Sequence, residues 1–250
     1  MTADDPSPRH RLYGRAQGKP LSKRQQALVD ELLPRIAVPE TAQGQLDPLG
    51  LFKTAPAALN AGLRRNEQDA QAFKPREVWL EIGFGGGEHL AGQAARHGDV
   101  GFIGAEPFID GVAKLLTQIH ERGLANVRIR RGDARDLVAQ LAPASIARAY
   151  ILFPDPWPKT RHRKRRLIQP AFLDDLSRVL AQGARVRFAT DWADYGTRAL
   201  ADFTRDGRYR WTAECADDWR TPPADHVTTR YQEKRLGDCA PVFLDFVFDA

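Results

Sequence analysis

Between Arg76 and Thr190 the chain alternates five times between a short β-type run and a helix-length amphipathic segment, and this limits the possible folds more than any other feature. The runs are EVWLEIG (77–83), VGFIGAE (100–106), NVRIRRGD (126–133), ARAYILF (147–153) and ARVRFAT (184–190). Each is rich in β-branched or aromatic residues and bounded by Gly, Asp or Pro. Val112, Leu115, Leu116 and Ile119 make an apolar stripe at helical spacing in one intervening segment; Phe172, Leu173, Leu176 and Leu180 make another. Strands that alternate with helices pair in parallel, and a parallel sheet is covered on both faces. Two further runs, RYRWTAE (208–214) and VFLDFVF (242–248), follow. The expectation is an α/β domain over residues 51–250, with a seven-stranded, mostly parallel, Rossmann-like sheet and helices on both faces. Residues 1–50 read as a basic arm, partly disordered, with one short helix in Gln25–Ile36 that ends near Pro34.

The first run leads into Glu81-Ile82-Gly83-Phe84-Gly85-Gly86-Gly87, where a strand hands over to a helix. Glycines there let the backbone turn tightly and approach a ligand, and ligands of open parallel sheets sit beyond the carboxyl ends of the strands. A dinucleotide fingerprint requires G-x-G-x-x-G; counted from Gly83, its third glycine is replaced by Glu88. An acid at that helix start repels a pyrophosphate, whereas Glu81 suits a cationic ligand. The second run ends in Glu106, placed to accept from ribose hydroxyls, and the third in Asp133, placed to accept from an adenine amino group. Either acid also fits an ordinary strand-end or N-cap role. Three acids at successive strand ends, together with Gly83, Gly85 and Gly87, point to an adenosine ligand with positive charge and no phosphate, which describes S-adenosylmethionine.

The fourth run continues into Pro154-Asp155-Pro156-Trp157-Pro158-Lys159. Prolines on both sides hold Asp155 stiffly in mid-sheet, where a catalytic group would be placed. Next comes a block of cations, Arg161, Arg163, Lys164, Arg165 and Arg166, with His162 among them; such a block persists most easily against a polyanion. A second basic stretch, with Arg9, Arg11, Arg15, Lys19, Lys23 and Arg24, contains no acid. The net charge of +5 agrees with a nucleic-acid partner without requiring one. Cys215 and Cys239 fit neither a disulfide framework nor a zinc motif, and the six histidines lack metal spacing. No apolar leader or membrane-length run is present, so a cytoplasmic protein without metal or membrane partner is expected.

FPDPWPK followed by RHRKRR resembles the bacterial tRNA (guanine-N7)-methyltransferase family of the class I methyltransferase fold. Glu81–Gly87, the Ala189-Thr190-Asp191 triplet, the Thr229-Arg230-Tyr231-Gln232 segment and the R-x-Q-G-K-x-L-S-K-x-Q-Q arm extend the resemblance. It implies methyl transfer from S-adenosylmethionine to N7 of a guanosine in the tRNA variable loop (position 46). It also implies that Glu81, Glu106, Asp133 and Asp155 contact the methyl donor, Asp155 acting in catalysis as well. Lys159, Asp191 and Thr229–Gln232 would meet the guanosine, and Arg161–Arg166 the RNA. The family ends the T-x-[YF]-E motif in Glu; here Gln232 stands in its place, with Glu233 next, and an amide keeps the acceptor but loses the charge. Trp157 and Trp192, each following a key acid, are stacking candidates. Monomer and homodimer are both open.

The rival readings are an exocyclic-amine methyltransferase, a nicotinamide oxidoreductase and a non-catalytic RNA-binding module. The proline before as well as after Asp155 disfavours the first, the missing third glycine the second, and intact strand-end acids the third.

Overall fold

The computed structural model describes residue 18 and residues 20–53 and 73–250. Seven strands form one sheet in the order β3-β2-β1-β4-β5-β7-β6. They are β1 (Glu77–Ile82), β2 (Val100–Ala105), β3 (Val127–Arg130), β4 (Ile146–Leu152), β5 (Leu180–Thr190), β6 (Tyr209–Trp211) and β7 (Val242–Phe248). β1 to β5 pair in parallel, and β7 runs antiparallel between β5 and β6. The strand order reverses between β1 and β4, so a crevice opens at their carboxyl ends. This is the α/β sheet expected from the sequence.

Helices α3 (Glu88–Arg96) and α4 (Ile109–Arg122) cover one face. With Trp79, Phe102 and Tyr150 from the strands they bury Leu90, Val112, Leu115, Leu116 and Ile119. Helices α5 (Ala134–Gln140), α6 (Pro170–Val179) and α7 (Ala193–Asp206) cover the other, around Leu80, Ile151, Val186, Phe172, Leu176 and Phe203. The expected stripes are therefore the core faces of α4 and α6, with one correction. Leu180 opens β5 directly after α6 instead of ending the helix, because its amide caps the helix by donating to Leu176 while its backbone is already extended.

Part of the amino-terminal segment packs on the sheet. α1 (Lys23–Glu31) begins with a capping box between Ser22 and Gln25, and α2 (Leu33–Ile36) follows with a proline in its first turn. Pro34 therefore opens a second helix where the sequence suggested the end of one; at that position its missing N–H is not needed. Leu32 and Ile36 enter one core, Val38, Leu46 and Phe52 the other. The chain thus wraps the β3 edge, where the Val38 amide donates to Ile129 at 2.8 Å. That bond covers an otherwise open edge strand. The cations Arg9, Arg11, Arg15 and Lys19 lie outside the described residues.

Candidate active site

The carboxyl ends of β1, β2 and β4 face a cavity of about 640 Å³. Its walls include Glu81, Gly83, Gly85, Glu106, Asp133 and Asp155, together with Thr229, Arg230 and Tyr231. Gly83, Gly85 and Gly87 have φ of 70°, 54° and 78°, the left-handed region that glycine enters without strain. A Cβ at Gly83 or Gly85 would meet nothing within 4 Å, so this backbone borders open space. Gly111 in α4 lets the loop approach, since a Cβ there would collide with the Gly85 carbonyl.

Glu106 holds the loop in shape. Its Oε2 accepts from the Gly85 amide at 2.9 Å and its Oε1 from the Phe108 amide at 2.9 Å. Burial nevertheless pushes its pKa up, against the lowering effect of those two bonds, with the charge of Asp155 adding to the rise. Asp155 is reached by solvent from the cavity, yet the protein around it raises its pKa through desolvation. Asp133 is buried, caps α5 by accepting from the Arg135 amide at 2.9 Å, and also accepts from Arg135 Nε at 3.0 Å. It therefore fills the N-cap role and still borders the cavity.

Glu81 is 4% exposed, and His89 of α3 is 1% exposed beside it. His89 Nδ1 lies 2.7 Å from Glu81 Oε2, a buried side-chain hydrogen bond. Gln93, one turn on, lies 3.3 Å from His89 Nε2 and donates to the Asp225 carbonyl at 2.6 Å. Sequence reasoning missed His89 and Gln93. The available signal was two polar side chains at i and i+4 on the buried face of α3.

After the short α8 (Asp217–Arg220), the motif Thr229–Gln232 lies around α9 (Arg230–Glu233), where Thr229 and Gln232 form a capping box. Gln232 Oε1 accepts from the Thr229 amide at 3.1 Å and from His226 Nε2 at 2.8 Å, so this side chain is spent on the turn and is not part of the cavity wall. Burial lowers the His226 pKa, outweighing the Gln232 bond. The segment is anchored by Asp225, which meets Arg148 at 2.9 Å and Arg187 at 2.6 Å. Arg187 also holds Asp245 at 2.7 Å across the β5–β7 pair. These carboxylates keep the buried Arg187 charged, its pKa well above the ordinary value despite desolvation. At the other end of the segment Tyr231 packs 5.6 Å from the Phe153 ring, and Arg230 pairs with Glu88 at 3.7 Å.

Asp191 lies one layer deeper than expected. It is 4% exposed, outside the cavity wall, and accepts from the Tyr231 hydroxyl at 3.3 Å. Cys239 is close, its amide donating to the Asp191 carbonyl at 3.1 Å. Burial, Asp238 and Asp191 push that thiol up, the reverse of what an activated nucleophile requires.

Lys159 precedes a 3-10 turn spanning Thr160–Arg165. Lys159, Arg161, Arg163 and Lys164 are exposed, and Arg163 pairs with Asp194 at 3.1 Å. Burial and the surrounding cations hold the His162 pKa below its ordinary value. Arg165 borders the cavity, its guanidinium 5.0 Å over the Trp157 ring, while His162 meets the same ring edge-on at 5.9 Å. Trp157 is thus engaged by its own loop, and Trp192 packs against the core. Arg166 departs from the rest of the run: it is 4% exposed, donates from Nε to the Pro156 carbonyl at 2.7 Å, and meets Asp194 at 2.6 Å.

Comparison with known proteins adds a lineage to this geometry. The family model described as "Putative methyltransferase" matches residues 75–242. A 16S rRNA (adenine(1408)-N(1))-methyltransferase from Catenulisporales acidiphilia has a similar fold, with a TM-score of 0.51 at 15% identity over 70% of this chain and 89% of that one. Three relatives are called tRNA (guanine-N(7)-)-methyltransferase. That of Caulobacter sp. strain K31 is 53% identical over 95% of this chain and 94% of its own. The protein of Hyphomonas neptunium is 48% identical over 94% and 98%, and that of Rhodospirillum rubrum 44% over 93% and 85%. With its site on the class I methyltransferase sheet and relatives aligned over nearly its whole length, the chain belongs to the family of tRNA (guanine-N(7)-)-methyltransferases.

Proposed function

We propose that this protein transfers the methyl group of S-adenosylmethionine to N7 of a guanosine in the variable loop of tRNA, working in the cytoplasm. The supporting observation is one cavity whose wall collects the glycine loop, Glu81, Glu106, Asp133, Asp155, Thr229–Tyr231 and Arg165.

The residues present fit the methyl donor. Gly83 and Gly85 leave open space beside the backbone, Glu106 directs its remaining acceptor capacity to the cavity, and Asp155 forms no ion pair with the described residues. Glu81, braced by His89, and Asp155 would receive positive charge; Glu106 would take the ribose hydroxyls and Asp133 the adenine amine. When bound, S-adenosylmethionine supplies an electrophilic methyl group on a sulfonium. Guanine N7 carries a free lone pair at neutral pH, so the protein needs no base to expose it. Held by Glu81, Glu106, Asp133 and Asp155, the donor would supply its methyl to N7 with the C–S electron pair remaining on sulfur, and the methylated base would carry the positive charge. The protein's contribution is alignment and a carboxylate field. Asp155 provides the field next to the reacting atoms, and Tyr231, held by Asp191 and Phe153, borders the space for the base. Arg161, Lys164 and Lys159 present exposed cations for phosphates.

The test is incubation of the purified protein with S-adenosylmethionine and an unmodified tRNA transcript, followed by nucleoside analysis by mass spectrometry. The expected product is 7-methylguanosine. Methylation on an exocyclic amine, or none at all with the methyl donor still bound, overturns the reading.

A further inference from the structure

One cation of the basic run is turned inward. Arg161, Arg163 and Lys164 are exposed, whereas the Arg166 side chain is 3% exposed. Its Nε donates to the Pro156 carbonyl at 2.7 Å, its terminal nitrogen meets Asp194 Oδ2 at 2.6 Å, and its guanidinium lies 4.7 Å over the Tyr195 ring. Asp194 and Tyr195 belong to the first turn of α7, so Arg166 ties the loop after β4 to the element after β5. A group with these three partners and so little exposure is in no position to receive an RNA phosphate.

The loop it holds needs holding. Phe153 and Trp157, on either side of Asp155, have φ of 52° and 41°, conformations that side chains other than glycine rarely adopt. Strained backbone persists only where the surroundings over-determine it, and it gathers at functional sites. At the start of the loop the Phe153 amide donates to the Ala189 carbonyl at 2.8 Å. Towards its end Arg166 grips the carbonyl of Pro156, the residue that follows Asp155.

We propose that Arg166 is a positioning residue for Asp155: by fixing the Pro156 carbonyl against the first turn of α7 it holds the carboxylate at the methyl-transfer site, and it takes no part in binding RNA. This rests on the methyl-transfer reading above. It divides the basic run into exposed cations that govern tRNA affinity and one buried cation that governs turnover.

The experiment compares wild type, Arg166→Gln and Arg166→Lys in kcat, KM for tRNA at several salt concentrations, and calorimetric affinity for S-adenosylmethionine. Misplacement of a catalytic group by about 1 Å costs about 100-fold, so Arg166→Gln is expected to lower kcat by about 10- to 100-fold. KM for tRNA should stay within about twofold and its log–log salt slope should not change. Arg166→Lys should recover part of kcat, since an ammonium reaches one of the two oxygens. A rise in KM with the salt slope reduced by about one and kcat intact would make Arg166 a phosphate contact and overturn the proposal. If Arg166→Gln does not fold, Asp194→Asn loosens the same anchor; a smaller, kcat-selective loss supports the proposal and an unchanged kcat overturns it. Wild type run alongside keeps the two readings separate: failure of wild type to form 7-methylguanosine contradicts the activity, whereas an active wild type with a KM-only variant contradicts only the role of Arg166.

Discussion

At the scale of single residues, the site is a set of carboxylates held ready for a cation. Glu106 and Asp155 have pKa values raised by burial. Above those raised values, ionisation destabilises the ligand-free fold, and that cost disappears as protonation sets in with falling pH. A sulfonium favours the ionised forms, so affinity for S-adenosylmethionine should decline by up to about tenfold per pH unit below the raised pKa values. Calorimetric titration between neutral and mildly acidic pH checks this; constant affinity down to the ordinary carboxylate range would contradict it. Glu81 relies on His89 in a region almost without water. His89→Ala leaves a buried acceptor unsatisfied and should destabilise the fold by about 2 kcal/mol, read by chemical denaturation. The acids were legible in the sequence because each ends a strand. His89 was not, because a lone histidine becomes meaningful only once the turn at Gly83–Gly87 folds α3 back over Glu81. Arg166 was hidden for the opposite reason: six neighbouring cations read as one surface, and only packing separates the buried one from the exposed.

At the scale of elements, strand–helix alternation foretold β1 to β5, and the two later runs were expected as the strands that became β6 and β7. It did not foretell the work of the segment before α9. Arg148 and Arg187 stand in strands at positions that look like a solvated face, yet both are taken up by Asp225. That clamp fixes the approach of Thr229 and Tyr231 to the cavity. The shape of the turn itself depends on Gln232. Gln232→Ala leaves Thr229 as the cap but removes the reciprocal half of the capping box and the bond to His226, and should cost about 1 kcal/mol in denaturation experiments. Gln232→Glu keeps the acceptor and adds charge beside His226. It should raise the His226 pKa, now depressed by burial, as followed by NMR titration, while the turn stays intact.

At the scale of the whole molecule, the carboxyl end of the sheet carries chemistry and the adjoining surface carries charge. The amino-terminal segment wraps the β3 edge, as its apolar residues at Leu32, Ile36, Leu46 and Phe52 require. The exposed cations Arg161 and Lys164 are expected to act through phosphates alone. Replacing both with Ala should reduce the salt slope of tRNA affinity by about 1.5 while kcat at saturating tRNA stays unchanged. A binding assay across salt concentrations, paired with saturating turnover, reads both quantities.

The most direct measurement of the central claim is chemical. N7-methylguanine, being cationic, is reduced by borohydride, after which aniline breaks the RNA chain at that nucleotide. After reaction with this protein and S-adenosylmethionine, an unmodified tRNA should break once, at a guanosine in the variable loop. Methyl incorporation without that break, or a break elsewhere, would contradict the assignment of base and site.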